Sequence, residues 1–135
     1  YLEAAAGILA AEAYHAGLIR AELYRMGTLV SGASDAITKA NAISDYRDSL
    51  DGVGTTLLPN LNELDEGITK TVSGTQVANI VPADSNAVAY SRTTLQVHNI
   101  VYLTKAAATS GGFFPAGTNN SIEALRTSGD FTKTS

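Results

Sequence analysis

The sequence predicts an all-α fold, a helical bundle only part of which lies in this chain, and three observations carry that expectation. Leu2, Ala5, Leu9, Glu12, Ala16, Ile19, Leu23 and Met26 recur at steps of three and four, one continuous stripe on a helix surface. A second set with near-helical spacing, Ala36, Ala40, Ile43, Tyr46 and Leu50, follows Ser34, a residue type that caps helices. A third run, Thr94, Val97, Ile100, Val101 and Leu103, suits a helix capped by Ser91, although its β-branched content leaves a buried strand open.

The first helix is expected from Leu2 to about Gly27, roughly 40 Å at 1.5 Å per residue. Alanines at eight positions between 4 and 21 favour helix and permit close approach of a neighbour. Ser31-Gly32 ends it. The second helix is expected over about 34–51, with Asp35 complementing the first-turn dipole and Asp51-Gly52 as its stop. From 53 to 89 Gly, Thr, Pro and Asn recur, so an irregular excursion is expected, with Asn79–Pro82 and Ala87–Tyr90 as short extended pieces. So long a stretch between helices usually carries function or covers something. The third helix is expected over about 92–107. Gly111 to Gly117 then forms a loop whose Phe113 and Phe114 tuck under the bundle, and 129–135 is a frayed tail. The domain thus spans 1–128. Tyr1 stands where a natural chain has Met, and the helical pattern is already running at Leu2. The expectation is a processed or truncated piece; a mature chain cut at a helix start is the alternative.

Composition narrows the function classes. The 135 residues suit one domain with a modest core, and 44% of them are hydrophobic, too many for wholesale disorder. Nine Lys and Arg against 13 Asp and Glu give a net charge of −4, with the basic residues scattered, so no nucleic-acid partner is expected. The absence of cysteine excludes disulfides, thiolate metal sites and a cysteine nucleophile. No apolar run approaches the ~20 residues of a membrane span. No catalytic residues are assigned, because neither a Gly-x-Ser-x-Gly elbow nor a phosphate-cradling Gly-x-x-x-x-Gly-Lys occurs. Gly52-Val-Gly54 lacks the third glycine of a dinucleotide site.

Glu12 is the one acid among the eight stripe positions, and His15 lies three residues on, about 60° around the cylinder. A carboxylate in an apolar seam is costly unless paired, hydrogen-bonded or metal-bound. Glu12 and His15 are therefore the candidate metal ligands. The alternatives are a buried polar pair satisfied by neighbouring helices, or a Glu protonated by burial. His98, beside Leu95 and Tyr102, reads as a packing residue with a ligand role as the alternative. Glu63, Asp65 and Glu66 lack the spacing of a calcium loop and read as a solvated turn. Asp45, Asp48 and Asp51, three apart, read as the exposed flank of the second helix.

Three blocks together resemble the ferritin-like desiccation-related protein family. They are LEAAAGILAAEAYHAGLIR (Leu2 to Arg20), SRTTLQVHNIVYL (Ser91 to Leu103) and GGFFPAGTNN (Gly111 to Asn120), about a third of the chain, with FFPAG the most specific. The resemblance implies a ferritin-like helical bundle whose first helices lie upstream of Tyr1. It also implies a non-enzymatic structural protein associated with stress or desiccation, with an extracytoplasmic location. In ferritin-like di-metal proteins two helices each supply a Glu and two others a Glu-x-x-His pair. Glu12 and His15 match one such pair and the sequence holds no second, so no cofactor is the first expectation. The alternative is a pair of iron or other divalent ions, with Glu12 bridging and His15 terminal. A second alternative is a binding or assembly module acting through the 53–89 excursion or the Phe113-Phe114 loop. The expected partner is the upstream segment of the same precursor or a second copy. Leu2, Leu9, Ile19, Leu23 and Met26 are each worth ~1.5–3 kcal/mol once buried, which favours a cover. Asn119-Asn120 stands where the family usually has Asn-Gly, and Asn119-Asn120-Ser121 is an N-glycosylation acceptor triplet.

Overall fold

A computed structural model describes residues 1–33, 35–51 and 66–130. In chain order it has helix α1 (Leu2–Leu29), helix α2 (Asp35–Asp51) and strands β1 (Thr69–Val72) and β2 (Thr75–Ala78). Helix α3 (Thr94–Tyr102) and a single 3₁₀ turn (Glu123–Leu125) follow. The all-α, ferritin-like bundle is corrected on two counts. An antiparallel hairpin stands inside the supposedly irregular 53–89 stretch, and α1 does not pack along the length of α2.

The hairpin has a local cause. Thr69 to Val72 and Thr75 to Ala78 are rich in β-branched residues, and Ser73 and Gly74 between them both have positive φ, +50° and +80°. Two central residues of positive φ match the right-handed strand twist, which makes this the favoured two-residue connection. Register runs from Thr69 opposite Ala78 to Val72 opposite Thr75, and Asn79 N–H donating to the Ile68 carbonyl (2.8 Å) extends the ladder by one rung. The pieces expected to be extended, Asn79–Pro82 and Ala87–Tyr90, are not strands.

The chain divides into two compact units. The first is Tyr1–Ser44 with Glu66–Pro82; the second is Asp45–Asp65 with Ala83–Ser135, described over 45–51 and 83–130. In the first unit α1 runs two residues past Gly27. An added Cβ at Gly27 would stand 2.5 Å from Ile37 Cγ1 and 3.2 Å from its backbone nitrogen, so the start of α2 approaches only because no side chain is there. Arg20 ties α1 to the hairpin region. Its Nη2 donates to the carbonyls of Gly67 (2.5 Å), Asn79 (2.6 Å) and Glu66 (3.2 Å), and its Nε to Asn79 again (3.1 Å). Asn41 of α2 does the same for β1, accepting from Ile68 N–H (2.9 Å) and donating to Thr69 Oγ1 (2.9 Å). The half-buried side of α1 is therefore Gly17, Arg20, Leu23, Tyr24, Met26 and Gly27, while residues 1–16 are exposed. Bonds to Arg20 turn that side inward, and the Leu2–Leu9–Ile19 line stays open.

Of α2, Ser44 at the end of the first unit and Leu50 and Asp51 in the second are buried. Asp51 is 1% exposed, which corrects its reading as an exposed flank, and Ile43 and Tyr46, expected inside, are outside. Expectations for Ser34, Gly52-Val-Gly54, Glu63, Asp65 and the tail beyond Asp130 fall outside the described residues. Helix α3 is shorter than the expected 92–107. Thr93, not Ser91, caps it: Thr93 Oγ1 accepts from Gln96 N–H and Gln96 Oε1 accepts from Thr93 N–H, a capping box. It stops where Leu103 turns left-handed (φ +58°).

Candidate functional site

Helix α3 buries Gln96, His98, Asn99 and Tyr102, a face that is polar rather than aliphatic. Buried polar groups must be hydrogen-bonded, and the segments gathered around α3 are those that supply the partners. Gln96 Nε2 donates to the Asp51 carbonyl (3.1 Å). Asn99 Nδ2 donates to the carbonyls of Leu50 and Gly129 (3.0 Å each), and Asn99 Oδ1 accepts from Gly129 N–H (2.8 Å). Asp51 Oδ2 accepts from Arg92 Nε at 3.0 Å, and the Arg92 guanidinium lies 4.7 Å from the centre of the Tyr90 ring. Gly129 is thus fixed at the point where the sequence suggests a loose tail.

His98 holds the far end of this face. Its Nδ1 lies 2.7 Å from the Thr94 carbonyl and its Nε2 2.8 Å from Thr118 Oγ1. A carbonyl only accepts, so Nδ1 donates to Thr94, and Nε2 pairs with the Thr118 hydroxyl. Tyr102 Oη donates to the Arg126 carbonyl (2.9 Å), accepts from Thr118 N–H (3.2 Å) and lies 3.0 Å from Thr118 Oγ1. The His98 and Tyr102 rings meet at 5.1 Å with a 59° tilt. His98 Nε2 and Tyr102 Oη position the 104–128 segment through Thr118 and Arg126, while His98 Nδ1 anchors the ring to its own helix. That chemistry is structural.

Thr118 sits just beyond the Phe113-Phe114 loop, which is itself fixed by backbone bonds. Phe113 N–H donates to the Val101 carbonyl (2.8 Å), Phe114 N–H to Gly111 (2.8 Å) and Gly117 N–H to Phe114 (2.9 Å). Pro115 and Gly117 occupy the second and fourth positions of that last turn, where each is favoured. Gly112 has φ +44°, and a Cβ there would lie 2.5 Å from the Val101 carbonyl oxygen, so glycine is needed for the loop to reach α3. The expectation that both aromatics tuck inward is corrected: Phe113 is 73% exposed and Phe114 43%. Their backbone is held while their rings face solvent.

Glu12 and His15 both lie on the exposed N-terminal part of α1. They share one helix side at i and i+3, and among the described residues no group of three or more His, Asp or Glu side chains stands close enough together to hold a metal ion. Asn119, Asn120 and Ser121 are exposed, and Asn120 Oδ1 accepts from Ile122 N–H (2.8 Å). No described helix is long and apolar enough to cross a membrane. Sequence reasoning missed Thr118, Asn99 and Gln96, because a polar residue that will be buried looks the same in sequence as one that will not. Compared with protein-family models, curated proteins and solved structures, the chain matches none.

Proposed function

We propose that this chain is a non-enzymatic structural protein that works through a fixed apolar surface, in the manner the desiccation-related family's name implies. One observation carries the reading: two adjacent phenylalanines are displayed to water on a loop whose backbone is bonded in place. Exposed aromatic area is costly in water and gains most when it meets other apolar surface, so a displayed pair marks a contact site. The loop is also the FFPAG block, the most specific part of the resemblance. Proteins losing water expose apolar segments, and a rigid aromatic patch engages these without first ordering itself. His98, Thr118 and Tyr102 serve that patch by holding the chain on its C-terminal side.

The test is to dry a labile reporter enzyme with this protein, rehydrate it and measure recovered activity. The expected result is recovery well above that given by an equal mass of serum albumin, with at least half of the excess lost in Phe113→Ser/Phe114→Ser. Recovery equal to the albumin control, or a double variant as protective as the parent, overturns the reading.

A further inference from the structure

We infer that α1 is a self-association surface, pairing antiparallel with α1 of a second copy about a centre between Ala13 and Tyr14. The inference concerns a different element from the Phe113-Phe114 loop and stands independently of the function proposed above. Its starting point is that Ile8, Leu9, Leu18 and Ile19 are 60–70% exposed on one side of a 28-residue helix with no buried residue. The strip through Tyr1, Ala5, Ile8, Glu12, His15, Ile19, Glu22 and Met26 repeats at four and three, the seam of a two-helix contact roughly 38 Å long.

Charge complementarity selects the occupant and the register. In an antiparallel pair centred between residues 13 and 14, Glu12 of each copy faces His15 of the other. Ile8 faces Ile19, Tyr1 faces Met26, and Ala5 faces Glu22, whose carboxylate keeps its partner on its own helix by accepting from Arg25 Nε (2.7 Å). The flanks are apolar too, with Leu9 beside Ala16 and Ala11 beside Leu18. A slip of one heptad toward the N-terminus sets Ile8 against Glu12. A slip the other way sets Glu12 against Glu22, and a parallel in-register pair sets Glu12 on Glu12 and His15 on His15. Each alternative buries a carboxylate without a partner or against a like charge, which is strongly disfavoured. Only the first arrangement gives the carboxylate an imidazole on the opposing copy while keeping isoleucine on isoleucine. The contact is isologous, so it closes at two copies. It also accounts for Glu12 and His15 standing together at the middle of the strip without requiring further ligands.

Sedimentation velocity of the 135-residue chain over a concentration series tests this. The expected result is a monomer–dimer equilibrium that Ile8→Lys or Ile19→Lys weakens at least tenfold. Both positions are exposed in the single chain, so circular dichroism of the variants should match the parent. Glu12→Lys should also weaken the dimer, and Glu12→Lys/His15→Glu should restore it to within about threefold, because the exchanged charges again face each other. The cysteine-free background allows a register test. Mixing Ile8→Cys and Ile19→Cys chains with oxidised glutathione as electron acceptor should give the mixed disulfide, whereas Ile8→Cys alone should not, its two copies standing roughly 16 Å apart along the axis. A chain monomeric throughout the series, a dimer indifferent to Ile8→Lys, failure of the exchange variant to restore, or preferential Ile8→Cys homodisulfides would each overturn the inference.

Discussion

Asp51 and Arg92 show how much one residue's surroundings decide. The carboxylate is withdrawn from water, its Oδ2 accepts from Arg92 Nε, and its own backbone carbonyl accepts from Gln96. Removing one member of a buried ion pair strands the other, which typically costs 3–5 kcal/mol, while replacing both by apolar residues is much milder. Arg92→Ala should therefore destabilise by about 3–4 kcal/mol, measured as the shift in urea unfolding free energy. Asp51→Leu/Arg92→Leu should lie closer to the parent than Arg92→Ala does. In the sequence Asp51 is one of three acids at helical spacing, and nothing local separates it from Asp45, which is exposed. The partner is 41 residues away, and that distance hides the pair from local reading. Glu12 is the converse: its singular place on an apolar strip is plain in the sequence, yet nothing in the described chain covers it.

At the scale of elements, local chemistry was legible where it is self-contained. Helix α1 starts and stops within two residues of the expected bounds, because stripe and Ser-Gly turn act over neighbouring residues, and α2 occupies Asp35–Asp51 of the expected 34–51. The β1–β2 hairpin had its signal too, Ser-Gly between runs of Thr and Val, and reading the whole 53–89 stretch as one irregular unit obscured it. The C-terminus of α3 was not legible. Leu103 is a branched residue in the left-handed region, and its N–H and that of Thr104 return to the carbonyls of Ile100 and Asn99. A left-handed conformation costs a non-glycine residue about 1–2 kcal/mol. Leu103 is exposed, so Leu103→Gly gives up little packing and should raise stability by about 0.5–1 kcal/mol, read from thermal or urea unfolding. A loss of stability would show that the Leu103 side chain contributes more packing than its exposure implies.

For the whole molecule, the two units differ in what binds them. The first is held mainly by polar side chains, Arg20 on the carbonyls of residues 66, 67 and 79 and Asn41 on the Ile68 N–H and the Thr69 hydroxyl, with Ile68 its buried apolar side chain among the described residues. The second is organised by the polar face of α3. Much apolar area is left outside, on α1 and on the Phe113-Phe114 loop. If α1 pairs with a second copy, folding and association are linked, and the unfolding temperature should rise with protein concentration. Calorimetric scans over a hundredfold concentration range should show a shift of several degrees in the parent chain and almost none in Ile19→Lys.

What the sequence determined by itself was local: helical periodicity, the Ser-Gly end of α1, the lack of cysteine, the oddity of an acid and a histidine on an apolar strip. What the tertiary structure decided was which of these faces turn inward. Arg20 and Asn41 direct α1 and α2 by bonding backbone carbonyls and N–H groups far away in the chain, and Gln96 and Asn99 do the same for α3. A long polar side chain can satisfy such groups wherever the fold places them, so its partners are fixed by geometry across tens of residues, beyond the reach of any local pattern.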